Sequence, residues 1–280
     1  MFKFLFRGVS IVIGLGVILV GLALFYFFGL DAAARAGAEK VLAYVLQVDV
    51  SLGKANVTAH KGEVALSDLK IGNPEGFNTA TAIEFERVEL KVDIKSFKTD
   101  EPIINLVSIA EPKITLEQGL RKSNLSVLLE NASRFKGEEA PAEEAPEGAN
   151  KKVRVDKVVV EGSTVAVSAP ILKGAELSYR LPTIEMNDIG GGGKPVSVAE
   201  SISIFFREIL AKSIEAASGV QGMPSELVSD LDAGFKGALG NLTGETEQRL
   251  REAGGQIGEQ LRQGIGGLLG RPTPTPEPQS

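Results

Sequence analysis

Two alternating runs change phase once each, and the two changes constrain the fold more than any other feature of the chain. Val64 and Leu66 are followed by Leu69 and Ile71, so the first series changes parity across Ser67-Asp68. Ile83 and Phe85 are followed by Val88, Leu90, Val92 and Ile94, which moves the second change to Glu86-Arg87. Side chains of a strand alternate between two faces, and a one-residue slip sends the apolar set to the wrong one. The breaks coincide in the antiparallel register that sets Leu66 opposite Val88, Leu69 opposite Phe85 and Glu63 opposite Lys91. That register predicts a pair of strands bent or bulged at Ser67-Asp68 and Glu86-Arg87.

The connection between these strands contains IGNPEGF, Ile71 to Phe77. It suits a corner of a sheet better than a ligand-cradling loop. With Asn73 first, Pro74 second and Gly76 fourth, a type I turn is expected, because proline presets φ and asparagine can bond backbone two residues on. Phe77 would then fold back over an end of the sheet.

Further strands are expected where alternation continues. Val57 and Ala59 open the series, and Ile103 to Leu116 extends it with a bulge, edge or break at Glu111-Pro112, since proline has no ladder donor. Val153 to Val160 and Thr164 to Val167 flank Glu161-Gly162 and weakly repeat that arrangement. Ala175 to Met186 predicts one more strand, broken at Pro182. Asn124 to Phe135 reads as a short helix with Leu125, Leu128 and Leu129 on one side. Val196 to Ala217 carries Ile202, Phe205, Phe206, Ile209 and Leu210 on one stripe, and Met223 to Leu269 keeps helical spacing despite many glycines. The class is therefore α+β.

Gly8 to Leu30 has no charge over about 23 residues, enough to span a hydrocarbon core of roughly 30 Å. A cleaved signal peptide would have a core of only about 7 to 15 residues, so an uncleaved anchor is expected. Lys3 and Arg7 precede it, which favours a cytoplasmic N-terminus and a chain outside the membrane after Leu30. The expected organisation is an anchor at 1–30, a juxtamembrane helix at 31–47 and a β-rich region at 48–136. A disordered acidic loop at 137–150, more sheet at 151–189, amphipathic helices at 190–270 and a solvated tail at 271–280 follow.

Known chemistry finds little to work with. The chain has 280 residues, a net charge of −6, no cysteine and one histidine, His60. Disulfides are excluded, and the acidic balance and lack of a basic stripe argue against nucleic acid. His60 sits in an apparent turn without the ligand cluster that zinc needs. GGGGK, ending at Lys194, lacks the spacing of a phosphate loop, with Asp188 and Pro195 where glycine and Ser or Thr belong. Glu138-Glu139 and Glu143-Glu144 fall in the acidic loop, where no geometry is fixed for acid-base work. No cofactor, metal or enzymatic activity is expected.

The apolar run Gly8 to Leu30, GEVALSDLKIGNPEGF at Gly62 to Phe77, FERVELKVDIKS at Phe85 to Ser96, IINLVSIAEPKITLE at Ile103 to Glu117 and the helix opening at Asn124-Leu125 together resemble the small bacterial members of the AsmA-like family. Those are membrane-anchored envelope proteins, distantly related by fold to chorein-type bridge proteins that carry lipids. The resemblance covers a little under half of the chain. It implies a curved, mostly antiparallel sheet, half-barrel or taco-like, with an apolar concave face and a role in lipid or outer-membrane homeostasis. It further implies a bacterial inner-membrane protein with its bulk in the periplasm. The chain lacks the long run of strands needed to bridge two membranes.

A groove on that face would be lined by Val64, Leu66, Val88, Leu90, Val92, Ile94, Ile104, Leu106, Val158 and Val160. The same residues would be plain core if the Val196 helix covers them. The expected function is lipid binding or transfer by a membrane-anchored protein. The alternative is a non-enzymatic scaffold that docks an envelope partner protein through its C-terminal helices.

Overall fold

The computed structural model describes residues 29–99, 101–134, 145–146, 148–175, 177–190 and 194–240. The predicted anchor, Gly8 to Leu30, lies outside these except for its last two residues, as do residues 137–144 and 147 of the predicted acidic loop and everything beyond 240. Among the described residues no helix is long and apolar enough to cross a membrane.

Among the described residues the fold is α+β, a curved mixed sheet with four α-helices. Helix α1 covers residues 29–46 and stops at Gln47, whose φ of +55° ends it in the left-handed region. Strands β1 (Val50–Thr58), β2 (Glu63–Gly72) and β3 (Thr81–Val92) then form an antiparallel meander. Its register sets Leu66 opposite Val88, Leu69 opposite Phe85 and Glu63 opposite Lys91, as the phase breaks require.

The breaks belong to a crease that runs through the sheet. In β1 the ladder passes from Leu52↔Leu69 to Lys54↔Ser67, skipping Gly53, and in β3 it skips Glu86 beside Asp68. Asp68 takes φ +56°, a left-handed conformation that flips the alternation while keeping the apolar set on one face. The same line interrupts the next strands completely. β4 (Ile103–Ala110) and β5 (Lys113–Glu117) are one path broken at Glu111-Pro112, with Glu111 at φ +49°. β6 (Lys152–Glu161) and β7 (Thr164–Ser168) are another, broken at Gly162-Ser163, and β8 (Leu177–Arg180) and β9 (Ile184–Ile189) flank Leu181-Pro182-Thr183. The weak repeat seen in the sequence is thus two broken strands lying side by side.

Those two run parallel, β4 with β6 and β5 with β7, whereas the other pairs are antiparallel. The sheet is mixed, with antiparallel pairs in the majority as expected and these two parallel pairs as the exception. Its cause is the connection from β5 to β6 through helix α2 (Asn124–Ser133), a crossover that returns the chain to the strand's starting end. A two-residue strand, β10 (Val196–Ser197), precedes helix α3 (Val198–Ala217). Helix α4 (Ser225–Gly240) follows it.

Each packed helix shows why it begins where it does. Ser123 accepts from the Ser126 N–H at the start of α2, and Ser197 accepts from the Glu200 N–H at the start of α3. Leu125, Leu128 and Leu129 of α2 and Phe206, Ile209 and Leu210 of α3 are almost wholly buried. Phe205 sets its ring 6.3 Å from that of Phe85, joining α3 to the sheet. The buried side of α4, Leu227, Leu231 and Ala238, faces α2 and α3, so this part of the C-terminal stripe is spent inside the protein.

Candidate functional site

Register assembles the apolar face in rows. Ala55, Leu66, Val88, Ile109, Val160 and Ile184 oppose one another in turn across β1, β2, β3, β4, β6 and β9. The next row outward from the crease is Val57, Val64, Leu90, Val107, Val158 and Met186, and beyond it come Val92, Ile104, Val155 and Ile189. On the other face charges pair across strands: Lys70 lies opposite Glu84, and Glu84 opposite Lys113.

Burial is graded along these rows. At the β6 and β9 side Val158, Val160, Ile184, Met186 and Ile189 are buried, as are Val88 and Ile109 next to the crease. Toward β1, Val57, Val64, Leu66, Leu90, Val92, Ile104 and Val107 are only half-buried, and Ile94 just past β3 is 45% exposed. Leu66, Leu90, Ile104 and Val107 touch the core cluster from its margin. Among the described residues the helices therefore cover most of the apolar face and leave one corner, at the ends of β1, β2, β3 and β4, only partly covered.

The ten groove positions divide accordingly. Val88, Val158 and Val160 are core. Val64, Leu66, Leu90, Val92, Ile94 and Ile104 meet at the partly covered corner. Leu106 parts from them, because it pairs with Lys91 on the opposite side of the sheet from Leu90. The reason is a bulge: Leu90 and Val92 stand opposite Val107 and Ile104, so two intervening residues of β4 face one of β3. Val107 takes the place expected of Leu106. Simple alternation from Ile104 could not show this, and Val57 was visible only as the first member of the series.

Helix α1 clasps the edge of this corner. Among the described residues no strand pairs with the outer edge of β1, and two carboxylates of α1 take its backbone donors. Leu52 N–H donates to Glu39 Oε1 at 2.8 Å and Val57 N–H to Asp31 Oδ1 at 2.7 Å. Edge strands left bare pair with other chains, so such a cover has a protective function. Because α1 runs antiparallel to β1, its first turn lies at the partly covered corner and its last turn at the far end, where Asn131 donates to the Leu46 carbonyl at 2.8 Å.

The far end is sealed by a polar latch. Glu117, 4% exposed, accepts from Asn78 N–H at 2.8 Å, Asn78 Nδ2 at 3.0 Å, Thr79 N–H at 2.9 Å and Thr79 Oγ1 at 2.7 Å. Burial by itself would raise the pKa of this carboxyl, but the bonds from Thr79 and Asn78 outweigh it and hold the group below its ordinary value. Asn124 Nδ2 donates to Asn73 Oδ1 at 2.7 Å, and Asn73 Nδ2 donates to the Thr79 carbonyl at 2.6 Å. Asn73 thus bonds six residues on, not two. The turn residues are Glu75 and Gly76, one position later than a turn centred on Pro74 and Glu75, with Gly76 at φ +92°. Pro74 is buried, and Phe77 folds back against Gly119. This is a corner braced from within.

No known family model and no curated protein matches the chain.

Chemical groups at the corner are few. His60 is exposed in the turn at 59–62. Among the described residues no group of three His, Cys, Asp or Glu side chains is arranged to hold a metal ion. Tyr179, the phenol that burial pushes upward in pKa, donates to the Ser213 carbonyl at 2.7 Å and ties β8 to α3. What the corner offers is apolar surface on four adjacent strands, about 14 Å across by ordinary strand spacing.

Proposed function

We propose that this chain is a single-pass, AsmA-like protein of the bacterial inner membrane whose curved sheet takes lipid acyl chains on its partly covered apolar corner. Gly8 to Leu30 is its anchor, the N-terminus is cytoplasmic, and the β-rich domain stands in the periplasm in a half-barrel form. Its activity is binding and handing on of lipid next to its own membrane, without a chemical step.

One observation carries this reading. The hydrogen bond from Val57 N–H to Asp31 ties that corner to the residue directly after the apolar run. An acyl chain rising from the bilayer at that point would meet Val57, Val64, Leu90 and Val92 before any polar group of the sheet's inner face. Burial of each methylene of such a chain is worth about 0.8 kcal/mol, so contact with a few apolar side chains is enough to hold a segment of it.

The test is mass spectrometry of the full chain purified in mild detergent. Phospholipid retained above the level of a control single-pass protein, and lost in Leu90→Glu, is the expected result. Equal retention in the control and in both forms of the protein would overturn the proposal.

A further inference from the structure

We propose that the tip formed by the β1–β2 turn and the segment following β3 rests on the bilayer, with Ile94 entering its interface, while the Leu120 end of the sheet points away. This rests on the membrane anchoring proposed above and adds the orientation of the domain.

Two loops make one tip. Val92 N–H donates to the Gly62 carbonyl at 2.8 Å, and Asp93 N–H donates to the Ile103 carbonyl at 3.0 Å. Ile94 packs over the turn, its Cγ1 3.1 Å from where a β-carbon on Gly62 would stand. That turn needs glycine, with φ +67° and the Val92 carbonyl 2.4 Å from the same point. Ile94 is therefore held out on a braced tip, 45% exposed, beside the exposed side chains of Lys61, Lys95 and Lys98. An exposed isoleucine on loops that also carry exposed lysines suits a headgroup boundary, where long cationic stems lie along apolar matter and the ammonium groups reach water. Asp93 and Glu101 alternate with the lysines, so attraction by charge does not drive the contact. The anchor does.

Position supplies the second line, through the anchor proposed above. Asp31 accepts from Val57, the penultimate residue of β1, directly before the turn of this tip. Residue 30 ends the apolar run, so a membrane entered there lies at the tip's level. At the other end, beyond β5, Gly119 N–H donates to the Lys122 carbonyl at 3.0 Å and closes a turn on which Leu120 is fully exposed. β3, which spans most of the interval, is 12 residues long, about 40 Å as a strand.

The chain has no cysteine, so one introduced thiol reports one place. The experiment uses full-length Ile94→Cys and Leu120→Cys, each labelled with a small fluorophore and reconstituted into phosphatidylcholine–phosphatidylglycerol vesicles with or without brominated acyl chains. Flotation verifies membrane attachment. The Ile94→Cys label is expected to lose most of its emission to brominated lipid, and the Leu120→Cys label to keep it. An unquenched Ile94→Cys label in floated vesicles, or equal quenching at both places, would overturn the inference, the latter meaning that the sheet lies flat. Failure to float would remove the anchor and this inference together. Retained phospholipid with an unquenched Ile94→Cys would leave lipid handling standing and remove only the orientation. Quenching without retained phospholipid would support the orientation and count against lipid handling.

Discussion

Gly53 of β1 lies directly against Asp68 of β2: a β-carbon built on the glycine would sit 2.8 Å from the aspartate's β-carbon and 3.0 Å from its Oδ2. The two residues mark where both strands change phase, and the space one lacks is the space the other uses. Gly53→Ala should destabilise the domain by about 1–3 kcal/mol, the range for forcing extra atoms into a packed place. Adding Asp68→Gly, which also relieves the positive φ at 68, should recover most of the loss. A double-mutant cycle in urea measures this; additive effects would mean the contact does not set the cost.

At the closed end, stability should depend on the charge of Glu117. Its folded pKa is held below the ordinary value of 4.5, so the carboxylate's contribution is present above that pH and lost as pH falls toward the lower, folded value. Glu117→Gln should flatten the acid limb of the stability profile. Glu117→Ala should cost about 3 kcal/mol at neutral pH by leaving the Asn78 and Thr79 donors unmet. Denaturation midpoints between pH 3 and about 7 decide it; parallel acid limbs in wild type and Glu117→Gln would count against the latch.

The clasp on β1 predicts local rather than global change. Asp31→Ala should expose the amide of Val57, and Glu39→Ala that of Leu52, to hydrogen exchange, each with a loss of about 1–3 kcal/mol of charge-assisted bonding. Amide exchange read residue by residue checks it. Unchanged protection of both amides in both variants would show that the edge is held by something else.

Covered and partly covered positions of the apolar rows should separate by experiment. Val160→Ala, at 0% exposure, should cost about 2 kcal/mol, whereas Val64→Ala, half-buried and three strands away from the first buried residue of its row, should cost about 0.5 kcal/mol or less. Val107→Ser should lower stability more than Leu106→Ser, because only Val107 faces the core side. Equal losses at 106 and 107 would contradict the bulge.

The residues that were legible in advance are those whose information is local. Parity along Val64 to Ile71 and Ile83 to Ile94 specified the pairing of β2 with β3, since alternation assigns each side chain a face without reference to distant parts of the chain. Glu111-Pro112 and Pro182 announced their breaks for the same kind of reason, a missing donor at a known place. Leu106 was assigned to the wrong side because a bulge shifts phase without leaving a glycine or proline to mark it.

Coverage was not legible. Whether Val88 and Val160 are core while Leu90 and Ile94 stand at an open corner depends on α2 and α3, which arrive from far along the chain. Nor does any pattern reveal that Asp31 and Glu39 satisfy the edge of β1, because a carboxylate on a helix reads the same whether it meets water or a backbone donor. The amino-acid order by itself determined which side of each strand is apolar and where the sheet is creased. The tertiary structure alone decided how much of that side is covered, since burial is set by what packs against a residue and not by its neighbours in sequence.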